Sequence, residues 1–175
     1  MSSPTNDLRP LNSDFDDAAA LAAAVVRLLV ERRAMLMLAE GSTGGLLGHL
    51  LTMAPGSSVA FLGGVIAYGN RLKELIGVPK ETIEKEGAVS APAAQAMAEA
   101  ARCWSGADLA LSVTGIAGPG GGTPGKPVGL TFIALAGKDG STVEEHRFDG
   151  DRDAIKMKSA MAGLAMLHRL LAAKG

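Results

Sequence analysis

Two glycine-rich stretches mark where this chain has polar groups able to do chemistry. Gly41-Ser-Thr-Gly-Gly places the hydroxyls of Ser42 and Thr43 between an apolar run and a leucine-rich segment. A hydroxyl at a strand-to-helix turn is either an N-cap for the helix or a nucleophile. Uncommitted N–H groups at such a helix start also suit a phosphate. Thr114 to Gly129 holds seven glycines and three prolines in sixteen residues. Glycine supplies positive φ and close backbone approach while proline fixes φ and removes a donor, so this composition specifies a shaped loop lined by backbone. With Lys126 its only charged side chain, the loop suits an anionic or polar small molecule; an ordinary long surface loop is the plain alternative. A third candidate is Lys73. If Asn70 caps the short helical stretch that follows Tyr68, Lys73 lies in its first turn, where the positive end of the helix dipole favours a neutral amine. The plain alternative is a solvated surface lysine.

Periodicity supplies the elements that must position these residues. Ser13 with Asp16 marks a helix start, and Ala18, Leu21, Ala22, Val25, Leu28 and Leu29 share one face of a helix ending near Arg33. Residues 34–39, apolar throughout, read as a buried strand, followed by the Gly41 turn and a helix carrying Leu46, Leu47, Leu50 and Leu51. Pro55-Gly-Ser-Ser closes that helix, 60–68 reads as a second strand, and Gly63 and Gly64 inside it point to a bulge or a nearby ligand. Short helical pieces follow at 70–76 and 79–85. Ser90 then caps a helix with Pro92 in its first turn, Ala93, Met97, Ala100, Ala101 and Trp104 on one face, and Gly106 as its stop. A central strand over 107–113 leads into the glycine loop; strands at 128–136 and 141–148 form a hairpin across Lys138-Asp-Gly; a last helix over 151–172 buries Met157, Ala160, Met161, Leu164, Leu167 and Leu171. The expected fold is α/β: a three-layer α/β/α domain with a mixed sheet and a C-terminal β-hairpin followed by a long helix. Residues 1–12 are expected to form a disordered tail, and 13–175 one domain.

Composition removes several classes of function. A net charge of −1 gives no basic footprint, and 3% aromatic residues leave little to stack on bases, so no nucleic-acid partner is expected. Cys103 is the only cysteine, which excludes an intrachain disulfide and a cysteine-based zinc site and fits a reducing cytoplasmic location. His49, His146 and His168 are scattered, so neither a metal nor another cofactor is expected. The polar start has no apolar signal region, and no segment approaches the ~18 apolar residues of a membrane span, so no membrane partner is expected. Exposed Met and Leu on the first and last helices would favour a homo-oligomer, a dimer.

Taken in order, several blocks carry a family resemblance: Ala39-Glu-Gly-Ser-Thr-Gly-Gly, Pro55-Gly-Ser-Ser, Ala67-Tyr-Gly-Asn with Lys73, Gly87-Ala-Val-Ser, Val113-Thr-Gly-Ile-Ala-Gly-Pro-Gly-Gly-Gly, Lys126-Pro-Val-Gly and Phe148-Asp-Gly-Asp-Arg-Asp. Over about residues 14 to 172 the chain resembles the C-terminal domain family of the competence/damage-inducible protein CinA, many members of which are nicotinamide mononucleotide (NMN) deamidases. The resemblance implies an amidohydrolase that converts NMN to nicotinate mononucleotide and ammonia, with a serine nucleophile assisted by lysine and tyrosine and no metal. Lys73 and Tyr68 match the family's lysine and tyrosine. Where the deamidating members have serine this chain has Gly41, with Ser42 one residue later, and Gly69 likewise replaces a serine common after the tyrosine. The catalytic residues implied are therefore Lys73, Tyr68 and Ser42, with Gly41, Thr43, Gly44, Thr114, Gly115 and Arg152 binding the substrate. Neighbouring Cα atoms are about 3.8 Å apart and their side chains diverge, so Ser42 does not simply inherit the missing serine's place. An impaired or altered deamidase and a non-catalytic pyridine-nucleotide-binding homologue both follow from the resemblance. For Arg152, bidentate pairing with the phosphate stands beside a solvated first-turn arginine near Asp151 and Asp153. Longer two-domain members carry an N-terminal nucleotide-processing domain; no residues here match it, and its pyrophosphatase activity is not expected.

Overall fold

The computed structural model describes residues 13–173; the expected tail lies outside them. Strand β1 (Leu36–Glu40) is buried along its whole length, as a strand covered by helices on both faces must be. It lies inside a five-stranded sheet ordered β2 (Phe61–Ile66), β1, β3 (Leu109–Gly115), β4 (Leu130–Gly137) and β5 (Gly140–Arg147). The first three run parallel, and β4 and β5 pair antiparallel. The sheet is mixed, and β4 and β5 close the hairpin, with Gly137 opposite Gly140.

Helices α1 (Ser13–Glu31), α2 (Leu46–Met53) and α7 (Arg152–Ala173) cover one face, where Val25, Leu29, Leu47, Leu164 and Leu167 pack on Leu36, Leu38, Leu111 and Ile133. The other face carries α4 (Asn70–Leu75), α5 (Lys80–Glu86) and α6 (Ala91–Ser105), with Met97 and Ala101 packed against Met37, Ala39 and Ala110. A short helix, α3 (Ser57–Ala60), occupies the serines expected to be a simple turn.

Most boundaries fall within two residues of expectation. Ser90 accepts from the Ala93 N–H at 3.2 Å, Pro92 sits in the first turn, and Gly106 ends α6 at φ 70°. The expected irregularity in β2 is a bulge: Leu36 pairs with Phe61 but Met37 with Gly63, whose φ is 142°. Two expectations are corrected. Trp104 is not on the buried face of α6 but 66% exposed, beside Gly77 and Pro79, while Ala101 carries the packing of that turn. Met157 and Met161 are only half-buried; Ala160, Leu164, Leu167 and Leu171 carry the packing of α7.

Strand order decides where a site can form. The chain leaves β1 for β2 on one side and returns to β3 on the other, so the connections diverge at the carboxyl ends of β1 and β3 and open a crevice there.

Candidate active site

Gly41 and Gly115 extend the carboxyl ends of β1 and β3, and Gly41 N–H donates to the Val113 carbonyl at 2.7 Å. This pairing sets the Gly41–Gly45 turn against the first residues of the glycine loop. A cavity of about 260 Å³ opens between them, lined by Gly41, Ser42, Tyr68, Asn70, Lys73, Ala88, Val89, Thr114, Gly115, Ala117 and Arg152.

Lys73 is buried, 3% exposed, and its Nζ donates to the carbonyls of Ala67 at 2.7 Å and Tyr68 at 2.9 Å. Burial holds its ammonium below lysine's usual range. A neutral amine has two N–H bonds and one lone pair, so these two carbonyls can hold both hydrogens and leave the lone pair for a proton. The expected route to neutrality is corrected in part: Gly69, not Asn70, is the N-cap of α4, with no side-chain cap, and desolvation rather than the helix dipole lowers the pKa. Asn70 instead lines the cavity.

Ser42 Oγ is buried and has no hydrogen-bond partner, Lys73 included. It lies over Gly115, where an added Cβ would come within 3.1 Å of it; the same Cβ would meet Thr131 Oγ1 at 2.7 Å and the Leu130 carbonyl at 2.9 Å. Only glycine leaves that floor open. Tyr68 is largely exposed at the rim, and its hydroxyl accepts from Arg152 Nη2 at 3.3 Å, while Arg152 Nη1 donates to the Gly118 carbonyl at 2.6 Å. Arg152 therefore ties the tyrosine to the glycine loop and is not merely solvated. Thr114 Oγ1 donates to the Ala88 carbonyl at 2.8 Å, fixing the wall between β3 and α6.

Several site expectations are corrected in position. Thr43 is fully buried with its hydroxyl unpartnered and does not line the cavity; Gly44 is exposed and points toward Lys156. Neither Ser42 nor Thr43 caps α2, and its N-terminus is not left for a phosphate. The buried carboxylate of Glu40 fills it, accepting from the N–H groups of Gly45 at 2.9 Å, Leu47 at 3.2 Å and Gly48 at 2.9 Å. Only the root of the glycine loop, Thr114, Gly115 and Ala117, reaches the cavity; residues 119–125 are exposed, and Lys126 Nζ donates to the Glu86 carbonyl at 2.6 Å. Sequence reasoning missed Asn70, Ala88 and Val89 as lining residues and Glu40 as the cap. Glu40, an acid directly before a glycine turn and a helix, was the available signal. Among the described residues no group of three His, Cys, Asp or Glu side chains is placed to hold a metal.

Comparison with known proteins joins this geometry to a family. Residues 18–171 match the profile of the CinA C-terminal domain. A CinA-like protein of Geobacter sulfurreducens is 49% identical over 149 residues, which cover 85% of this chain and 36% of that protein. The chain thus spans little more than a third of the length of that relative. The crystal structure of the competence/damage inducible protein CihA from Agrobacterium tumefaciens superposes with a TM-score of 0.85 at 36% identity, covering 94% of this chain and 99% of that one. A CinA superfamily protein from Klebsiella pneumoniae gives the same TM-score at 30% identity, covering 89% and 98%. With the crevice at the ends of β1 and β3 built from the blocks the sequence shares with that group, this chain belongs to the CinA C-terminal domain family.

Proposed function

We propose that this protein is an amidohydrolase of the NMN deamidase type, acting in the cytosol as a homodimer. The observation that carries this reading is the buried, desolvated Lys73 amine on a cavity that Ser42, its hydroxyl buried and unpartnered, also lines. Ser42 Oγ attacks the carboxamide carbon and its proton passes to the neutral Lys73 amine. The C–N bond of the tetrahedral adduct breaks, Lys73 returns the proton to the leaving nitrogen as ammonia forms, and water hydrolyses the acyl-serine to nicotinate mononucleotide and free Ser42. The Ser42 N–H, which is spent neither on Glu40 nor on the Val113 carbonyl, supplies a donor for the oxyanion. Tyr68, the third catalytic residue that the resemblance implies, stands at the rim beside Arg152, whose guanidinium can pair with the phosphate.

A second reading, a non-catalytic pyridine-nucleotide binder, is favoured by one observation: Ser42 and Lys73 share a cavity without a hydrogen bond between them. Ammonia release from NMN separates the two. The hydrolase releases ammonia at a rate that Lys73→Ala and Ser42→Ala each cut at least about a hundredfold. The binder releases none, yet its melting temperature rises with added NMN.

A further inference from the structure

A second cavity, about 460 Å³, lies at the opposite end of the sheet from Ser42. Leu109, which opens β3, lines it, whereas Gly115, which ends β3, lines the Ser42 cavity; the six strand steps between them span roughly 20 Å. Its floor is apolar, with Leu109, Leu135 and Leu171, and Arg33, Arg102 and Lys138 stand on its walls. In all, four cationic side chains and two carboxylates line it. One of those carboxylates, Asp108, is already engaged in the wall: its Oδ2 accepts from the Met35 N–H at 2.8 Å, and its backbone carbonyl accepts from Arg102 Nε at 3.0 Å.

Cations are ordinary at the C-terminal ends of helices, where they complement the helix dipole, and α1 and α6 end here. That explains charge but not backbone. Arg33 has φ 53° and is the only non-glycine residue with positive φ among the described residues. It occupies the left-handed position that ends α1, with Ala34 N–H donating to the Leu29 carbonyl at 3.0 Å, a place where glycine carries no steric penalty. An arginine one turn earlier would serve the dipole without that strain. A strained arginine on a cavity wall is what a ligand contact retains. Lys138 lies in the β4–β5 turn, outside any helix, and lines the same space.

We propose that this second cavity binds a small organic phosphate with an apolar ring body, of nucleoside monophosphate size: the leucine floor takes the ring, and Arg33, Arg102 and Lys138 take the phosphate. Its volume lies within the range of small-molecule sites. The inference is independent of the reaction assigned to the Ser42 cavity.

The test is amide-resolved NMR titration of the full chain with adenosine 5′-monophosphate, and separately with adenosine and with inorganic phosphate. The monophosphate is expected to shift the amides of residues 33–35 and 137–141, and each half-molecule to bind at least tenfold more weakly. Arg33→Gly relieves the left-handed strain and is expected to raise the melting temperature without ligand while weakening the monophosphate at these amides at least tenfold. Lys138→Ala, in an exposed turn, should weaken it similarly with the melting temperature unchanged. Shifts confined to residues 41–45 and 68–73, full affinity in both variants, or phosphate binding as tightly as the nucleotide would each overturn the proposal.

Discussion

In the proposed reaction Lys73 and Ser42 carry the chemistry, and that assignment makes measurable claims. Because burial depresses the Lys73 pKa, the free base forms below lysine's ordinary value of 10.5. The rate of ammonia release should therefore climb with pH through that depressed pKa and level off before pH 10.5, and Lys73→Arg, permanently charged, should remove both the limb and the activity. Stability carries the same sign. Between the depressed folded pKa and 10.5 the unfolded chain holds a proton that the folded chain has released, so the Lys73 contribution rises with pH across that window and is flat below it; urea unfolding at a series of alkaline pH values checks this. Gly41 presents the opposite case. A Cβ there would stand 2.9 Å from the Val113 carbonyl, a backbone atom, so Gly41→Ser must displace β3 or the turn and should cost about 1–3 kcal/mol by denaturant titration. The hydroxyl it introduces at the family's serine position should also raise NMN turnover; unchanged turnover in a folded variant would discredit the homologous placement of Lys73.

At the scale of elements, the turn between β1 and α2 is held from below by Glu40 rather than by its own hydroxyls. Three N–H groups of the first turn of α2 converge on one buried carboxylate. Glu40→Ala leaves all three without a partner and is expected to cost about 2–3 kcal/mol, measured by urea unfolding, and to lower ammonia release because the turn carrying Ser42 loses its anchor. Glu40→Gln keeps an acceptor and should cost less. The glycine loop works in the same way: its root is fixed by the Thr114 hydroxyl on Ala88 and by Arg152 on Gly118, while its exposed tip plays no part in the cavity.

At the scale of the molecule, the expected source of a dimer moves. The apolar faces of α1 and α7 are spent on the core, with Val25, Leu29, Leu164 and Leu167 buried. Exposed apolar side chains gather instead around the edge strand β2 and α4: Val59, Leu62, Ile66, Leu72 and Leu75, the last 72% exposed. An unpaired edge with apolar neighbours is a surface that recruits another chain. Light scattering is expected to report a dimer, and Leu62→Lys combined with Ile66→Lys a monomer. No helix among the described residues is long and apolar enough to cross a membrane.

The chain's order of apolar runs and glycine breaks by itself determined the three layers, the mixed sheet, the hairpin and the family, because periodicity of 2 and 3.6 and the ordered blocks are local properties of sequence. The family resemblance of those blocks also picked out Ser42, Tyr68, Lys73, Thr114, Gly115 and Arg152, which all line one cavity. Only the tertiary structure decided that Lys73 is buried, that Glu40 rather than Ser42 or Thr43 caps α2, that Thr43 and Gly44 face away, and that Trp104 is exposed. Each of those depends on which residues distant in sequence lie opposite, such as Val113 beside Glu40 and Ala88 beside Thr114. Desolvation and hydrogen-bond partnership are set by such neighbours, and the spacing of residues along a chain does not contain them.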